Sequence, residues 1–270
     1  MQKLLKKKYS CKQASGKIIN IMFNLKKLEL HRKKSKNTIQ NSPFYQFIHN
    51  DIIDRLEPID RVFNDILIIN PPIENMLKLL LKAKFPHHNL TIAKVHTDFP
   101  ADKFDLIIFP MGLHWISNIQ DFLYKMRTSL QKNGILICNF PGGGSLKQLR
   151  YKLMELESAN NRVHVPHISP FIQFEQATPL LQQTGFAENI IDMEPLELEY
   201  NSPLALMKAL QSVGESNALE CGTSYSITKK MYKALAQQND TMFQDQINLV
   251  TFVSSPAKSS IRLKSEHFHG

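Results

Sequence analysis

Short apolar runs alternate with amphipathic segments over the first half of this chain, and this pattern constrains the fold most. Apolar residues at helical spacing separate the runs, as after Asn118, where five of them form one stripe. Strands that are apolar on both faces and alternate with helices are typical of a parallel sheet covered by helices. The sequence therefore predicts an α/β fold. The predicted strands are 65–69, 90–95, 104–109 and 135–140.

The pattern changes after Pro141, where helices dominate. Ser145 is the predicted N-cap of a helix over 145–158. The earlier amphipathic helix, which begins after Asn118, is predicted to end at Asn133-Gly134. We predict a basic, flexible leader over 1–40, a folded domain over 41–253 with a cap region at about 141–217, and a loose tail over 254–270. The remaining predicted helices are 43–57, 74–84, one that ends at 185, 203–213 and 226–237. The remaining predicted strands are 187–193, 196–200 and 247–253.

The formal net charge of +9 has an uneven distribution. Residues 1–36 hold 12 Lys and Arg against one acid, Glu29, which leaves 21 basic and 23 acidic residues elsewhere. The body is thus nearly neutral, and we expect no nucleic-acid partner. The leader is a solvated arm, a peripheral contact to a membrane surface or acidic partner, or an organelle presequence. Translation starts at Met1 or at Met22.

The number and spacing of the cysteines and the lengths of the apolar runs indicate the cellular compartment. The three cysteines form no CxxC pair, so neither a disulfide scaffold nor a structural zinc site is expected. No apolar run approaches the ~18 residues of a membrane-spanning helix. We expect a cytoplasmic bacterial protein, with the mitochondrial matrix as the alternative.

Glycine is absent from the whole stretch between Lys17 and Met111. Phosphate-binding and dinucleotide-binding loops need glycine, because the backbone must approach an anion closely. Both loops are therefore excluded from the first half of the chain.

Several motifs in fixed order resemble the class I S-adenosylmethionine-dependent methyltransferases. They resemble most closely the methyltransferase-like assembly factor of respiratory complex I, and also the malonyl-carrier methyltransferases of biotin synthesis. The most specific are the PHISPF box at 166–171 and the GESN box at 214–217. The others are FDL at 104–106, LHW at 113–115, LQKNGIL at 130–136, PGGGSL at 141–146 with Leu149-Arg150, and the helix end at 180–186.

The resemblance implies a Rossmann-like sheet, S-adenosylmethionine as cofactor, and an iron–sulfur subunit of complex I as partner. The mitochondrial member of this subfamily is understood as a protein-arginine hydroxylase. The resemblance places partner or substrate contacts at eight positions of the second half. These are Gly142, Gly143, Arg150, His167, Ser169, Phe171, Glu215 and Asn217.

The departures from the family pattern fall on the cofactor loop. The acid that ends the family's first strand aligns with Ile68, and its three loop glycines align with Asn70, Pro72 and Glu74. Pro71 and Pro72 offer no N–H, and Glu74 places a negative charge where the cofactor carboxylate lies in the family. The resemblance assigns the degenerate cofactor positions to Asn70, Glu74, Asp98, His114 and Trp115.

The chain is also short between the first strand and FDL. Only 34 positions separate Asn70 from Phe104, with room for one strand. A strand–helix unit near strand two, which in the family ends in the ribose-binding acid, is predicted to be missing.

Alternatives remain open at several candidates. Asp98 is the family's adenine-side acid or a loop residue, and His114-Trp115 is a pocket wall or a packed pair. The glycines at 142–144 are an anion cradle or a turn. His164 and His167 are iron ligands or a loop pair. No carboxylate accompanies them at the spacing of an iron site, so no metal is expected. Arg150 and Glu215 contact a partner or form surface pairs.

Two functions follow from this combination. The first is a methyltransferase-fold protein with lost or altered cofactor binding, a pseudoenzyme that binds a partner subunit during complex I assembly. The second is an active methyltransferase or protein-arginine hydroxylase with an unusual pocket. No catalytic residue is identified for either.

Overall fold

The structure is a computed structural model, and it describes residues 10–12, 18–20, 23–160, 167–219, 227–237 and 242–264. Its helices are α1 (Leu25–Lys34), α2 (Lys36–Ile39), α3 (Pro43–Leu56), α4 (Glu74–Lys84), α5 (Ile119–Ser129), α6 (Lys147–Ser158), α7 (Phe174–Gln183), α8 (Pro203–Ser212) and α9 (Lys229–Ala236). Its strands are β1 (Ser10–Lys12), β2 (Ile18–Asn20), β3 (Asp65–Ile69), β4 (Asn89–Ala93), β5 (Phe104–Pro110), β6 (Leu130–Pro141), β7 (Glu188–Tyr200) and β8 (Phe243–Ser255).

The chain divides into two compact units. Unit 1 consists of Met1–Thr38, Gly144–Phe171 and Pro195–Ile247, and unit 2 of Ile39–Gly143, Ile172–Glu194 and Asn248–Gly270.

A mixed sheet organises unit 2. Within the described residues its strand order is β4-β3-β5-β6-β8-β7. The first four strands are parallel, and β8 runs antiparallel to β6. Strands β3 and β5 have almost entirely buried side chains, as their continuous apolar runs predict. The predicted α/β class with a Rossmann-like sheet is confirmed.

The sheet is short on the side of β4. Helix α4 connects β3 to β4, and a loop of ten residues then leads directly to β5, on the far side of β3. Among the described strands none lies beyond β4. This is the side on which the sequence predicts a missing strand–helix unit.

Three predicted boundaries are wrong in the second half of the sheet region. Asn133-Gly134 does not end α5, which stops at Ser129, but lies within β6, because that strand begins as early as Leu130. The two predicted strands at 187–193 and 196–200 form the single strand β7, with Pro195 inside it. Proline is tolerated in a strand where its missing N–H faces an edge, and β7 is a terminal strand of the described sheet.

The described parts of the predicted leader and tail include regular elements and backbone hydrogen bonds. Residues 25–39 form α1 and α2, and α1 is capped by Asn24, whose side chain accepts from the N–H of Lys27 at 2.9 Å. The tail continues β8 to Ser255, and the N–H of Lys264 then donates to the carbonyl of Pro58 at 2.7 Å. Helix α1 overlaps residues 23–33, a segment that resembles the N-terminal helix of the family, although the charge of the leader predicted a flexible arm.

Unit 1 contains α6, α8 and α9, which pack on one another, together with α1. The start of α8 follows the prediction, since the hydroxyl of Ser202 accepts from the N–H of Ala205 at 3.2 Å and Pro203 occupies the first helical position.

Candidate functional site

The loop after β3 is closed by Asn70. Its backbone adopts a left-handed conformation with φ +45°, and its side-chain oxygen accepts from the N–H of Val95 at 3.0 Å. The N–H of Asn70 donates to the carbonyl of Ala93 at 2.9 Å. Asparagine is one of the few residues other than glycine that tolerates this conformation. The side chain therefore fastens the loop to the end of β4.

Helix α4 begins at Glu74, directly after this loop. Its N-cap is Ile73, which is buried and provides no side-chain hydrogen bond. The Glu74 carboxylate is half-exposed and pairs with Lys78 one turn later. A negative charge in the first turn interacts favourably with the helix dipole. The same charge repels any anion that approaches this helix start.

A groove of about 660 Å³ lies beside the loop, within unit 2. Three of the five predicted cofactor residues line it, namely Asn70, Glu74 and Asp98. The Asp98 carboxylate is strongly exposed and accepts from Lys125 at 3.0 Å. The groove thus has two acids, Glu74 and Asp98, and two lysines, Lys94 and Lys103, in its lining, with β4 along one wall.

His114 and Trp115 lie elsewhere. They form a short 3-10 turn after β5, both are buried, and their ring centroids are 4.8 Å apart. Neither lines the groove. The turn is held by the N–H of Met111, which donates to the backbone carbonyl and the side-chain oxygen of Asn139 at 2.9 and 3.1 Å. The structure places this pair in the packed interior.

The backbone of Gly142 and Gly143 is occupied by neighbouring segments. The N–H of Gly142 donates to Asn248 at 2.7 Å, and that of Gly143 donates to Ile172 at 2.8 Å. A Cβ on Gly142 would lie 2.5 Å from a methyl of Val250. These glycines allow close packing of the chain, and their N–H groups do not form an anion cradle.

The start of α6 also differs from the prediction. Ser145 is not the N-cap, because Leu146 precedes the helix in a left-handed conformation with φ +54°. The Asp245 carboxylate replaces a cap by accepting from the N–H of Gln148 at 3.3 Å and of Leu149 at 2.8 Å.

Arg150 and His167 hold the PHISPF segment against α6, within unit 1. The Arg150 guanidinium donates to the carbonyls of Ile168 and Ser169, at 3.2 Å each. Burial lowers the pKa of Arg150, and the Asp245 carboxylate opposes this. The His167 ring lies 2.7 Å from the carboxylate of Glu157, which is fully buried. Ser169 is buried and Phe171 half-buried, while His164 and Pro166 lie outside the described residues.

The GESN box contacts α1 within unit 1. Arg32 of α1 donates to the Glu215 carboxylate at 3.2 Å, and both side chains are largely buried. The side-chain oxygen of Asn217 accepts from the N–H of Leu219 at 2.8 Å, which closes a local turn. Glu215 and Asn217 therefore position this segment against α1, and Glu215 is not an exposed surface charge.

Gly214→Ala should loosen this contact. Gly214 has φ +80°, and an added Cβ would lie 2.7 Å from the Ser35 hydroxyl and 3.0 Å from the Arg32 Cα. Left-handed strain and overpacking together should lower the free energy of unfolding by about 2–4 kcal/mol, measured by denaturant titration. Gly185→Ala is the matched control, since Gly185 has φ +93° but its nearest contact is the flexible Arg127 side chain at 3.2 Å. Equal losses in both variants would contradict this reading.

Several buried polar residues were missed by the sequence reasoning. Asp105 of the FDL motif accepts from the N–H groups of Asn64 and Asp65 at 2.7 and 3.1 Å, and burial raises the pKa of its carboxyl. Glu157 gave no signal because its partner lies ten residues further along the sequence. Asp105 alone had a signal, as a lone acid within an apolar strand.

The described residues contain neither a candidate metal cluster nor a candidate membrane-spanning helix. No cluster of three or more His, Cys, Asp or Glu side chains there is arranged to hold a metal ion. No helix in that part of the chain is long and apolar enough to cross a membrane.

Comparison with known proteins agrees with this fold. Residues 71–138 match a family model described as a methyltransferase domain. Protein RP459 of Rickettsia prowazekii (strain Madrid E), named provisionally as a methyltransferase, is 45% identical over 192 residues, which cover 71% of this chain and 84% of that protein. The chain belongs to the class I S-adenosylmethionine-dependent methyltransferase-like family.

More distant relatives carry names that specify a function. The mitochondrial arginine-hydroxylase NDUFAF5 of Homo sapiens is 30% identical over 144 residues, which are 53% of this chain and only 42% of that protein. The malonyl-[acyl-carrier protein] O-methyltransferase of Xylella fastidiosa (strain M23) is 30% identical over 116 residues, 43% of this chain and 37% of that one. The plantazolicin methyltransferase BpumL, solved in complex with SAH, aligns with a TM-score of 0.43 at 12% identity, covering 86% of this chain and 98% of that one.

Proposed function

We propose that this chain keeps the methyltransferase fold, has lost the family's mode of holding S-adenosylmethionine, and acts by binding a protein partner. The loop 70–74 is the observation that carries the proposal. The side-chain oxygen of Asn70 is engaged by Val95, Pro71 and Pro72 have no N–H to donate, and Glu74 places a carboxylate in the first turn of α4. These residues do not fit a ligand that presents a carboxylate to this helix start.

The partner that the resemblance favours is an iron–sulfur subunit of respiratory complex I. The most specific motifs of this resemblance, PHISPF and GESN, lie in the second half of the chain, where each is fixed by buried polar contacts. Such contacts keep a surface in one conformation, which lowers the entropic cost of binding a partner. They support a binding role without requiring the cofactor.

A second candidate is an enzyme with an altered pocket, and the groove favours it. A volume of about 660 Å³ is within the range of small-molecule sites, and Asn70, Glu74 and Asp98 give it polar groups. In this alternative Glu74 contributes to ligand binding, whereas in the first proposal its charge opposes it. The sign of the effect of Glu74 therefore separates the two.

Isothermal titration calorimetry tests both functions. The wild-type chain and Glu74→Gln are titrated with S-adenosylmethionine, with BpumL as positive control, and then with a purified complex I iron–sulfur subunit. We expect no cofactor binding by the wild type, any residual affinity to rise in Glu74→Gln, and binding of the subunit without cofactor. A loss of cofactor affinity in Glu74→Gln would favour the altered pocket instead.

A further inference from the structure

Within the part of the chain that the structure describes, strand β4 lies at an edge of the sheet. The N–H of Asn89 donates to the carbonyl of Asn64 at 2.6 Å, and the carbonyl of Ala93 accepts from Asn70 at 2.9 Å, so both residues direct their backbone groups towards β3. Backbone direction alternates along a strand, so Thr91 also faces β3, while Leu90 and Ile92 direct their N–H and carbonyl groups away from it. Among the described strands none pairs with that side of β4.

This edge has none of the usual protection within the strand. Natural edge strands avoid pairing through proline, inward-pointing charges or bulges. The sequence Asn-Leu-Thr-Ile-Ala of β4 contains neither proline nor charge, and its pairing with β3 runs without a bulge over all five residues. The side chains of Leu90 and Ile92 are only half-buried. The edge is thus suited to accept another strand.

We propose that a second copy of this chain pairs with this edge, antiparallel and centred on Thr91. In this register Leu90 lies opposite Ile92 of the second copy, and each of the two such pairs exchanges two backbone hydrogen bonds. The two Thr91 residues then face each other as a pair without backbone hydrogen bonds, and threonine pairs are favourable there. Asn89 faces Ala93, so no like charges meet within the strands.

The self-complementarity of β4 is what selects a second copy over another polypeptide. One two-fold axis satisfies the outward backbone groups of both β4 strands. The other terminal strand of the described sheet, β7, carries Pro195 and five acidic residues that disfavour further pairing, so assembly stops at the dimer. Two strands of five residues form a small interface, so a dissociation constant in the micromolar range, about 1–100 µM, is expected. The proposal does not rest on the proposed loss of cofactor binding, but Thr91 and Ile92 also line the groove, so the second copy would lie next to it.

A cysteine cross-link tests this register. In a Cys11→Ser/Cys221→Ser background, Thr91→Cys should form a disulfide-linked dimer on mild oxidation, because directly opposite Cα atoms lie about 4.5 Å apart at such a pair. Asn89→Cys is the matched control, since its two copies would lie four residues out of register. Equal cross-linking of both variants, or none in Thr91→Cys, would overturn the proposal.

Sedimentation velocity of the wild-type chain tests dimerisation without any substitution that could disturb folding. The dimer fraction should rise over about 1–200 µM protein if the dissociation constant is micromolar. Ile92→Pro removes one outward N–H, which an edge position tolerates, and should weaken the dimer at least tenfold, with circular dichroism to show that it folds. A wild type that stays monomeric throughout, or an Ile92→Pro variant that dimerises as well as the wild type, would contradict the proposal.

Discussion

Acidification from about pH 7 to about pH 4 should cost this protein about 3 kcal/mol of unfolding free energy through His49 alone, and His49→Leu should remove that loss. His49 lies on the buried face of α3 with 0% exposure, beside the Tyr45 ring, whose centroid is 6.5 Å from its own. Neither ring nitrogen has a hydrogen-bond partner among the described residues. Burial therefore lowers the pKa of His49 from 6.5 to about 4.

The lowered pKa of His49 determines whether stability rises or falls with pH. Between pH about 4 and 6.5 the unfolded chain binds a proton on His49 that the folded chain does not, so stability falls as the pH falls. Denaturant titrations of wild type and His49→Leu across this range measure the difference, in which the opposite contribution of Asp105 cancels. His87→Leu, at an exposed position, is the control. Parallel pH profiles for wild type and His49→Leu would show that the ring is solvated.

His167→Ala should destabilise unit 1 by about 1–3 kcal/mol, because it removes one hydrogen bond to the buried Glu157 carboxylate. The two groups are 2.7 Å apart, and Glu157 is fully buried. The loss is measured as the free energy of unfolding in denaturant. His167→Gln should recover part of it, since an amide N–H can still donate to the carboxylate.

An exposed pair on the same helix gives the matched control. Lys152 donates to Glu155 at 3.1 Å, with half or more of the acid exposed to solvent. Exposed pairs contribute about 0–1 kcal/mol, so Lys152→Ala should change stability far less than His167→Ala. If the two substitutions cost the same, the His167–Glu157 contact does not hold the PHISPF segment in place.

The sheet was predictable from sequence because its strands are buried on both faces. Each of the strands β3, β4, β5 and β6 was predicted near its observed position, and α3 and α4 almost to the residue. The errors fell where tertiary pairing overrides local signals. Asn133-Gly134 is a strong turn signal, yet it lies inside β6, and Ser145 is a good cap residue, yet Asp245, a hundred positions away, takes that role.

The site was predictable only where residues are close in sequence. Asn70 and Glu74 were found because they interrupt a known loop pattern, and the structure places them at one groove with Asp98. Glu215 and Arg150 were predicted as partner contacts, but both bind segments of their own unit. Their partners are Arg32 and the carbonyls of Ile168 and Ser169. These groups come together only when the chain folds, so no local sequence pattern predicts the contacts.

Titration of the wild-type chain with S-adenosylmethionine tests the central claim most directly. We predict no heat beyond dilution, which corresponds to a dissociation constant weaker than about 1 mM. The physical reason is the loop after β3, where Asn70 is fastened to β4 and Glu74 occupies the start of α4. Binding at micromolar concentration, lost on substitution of Glu74 or Asp98 in the groove, would contradict the account.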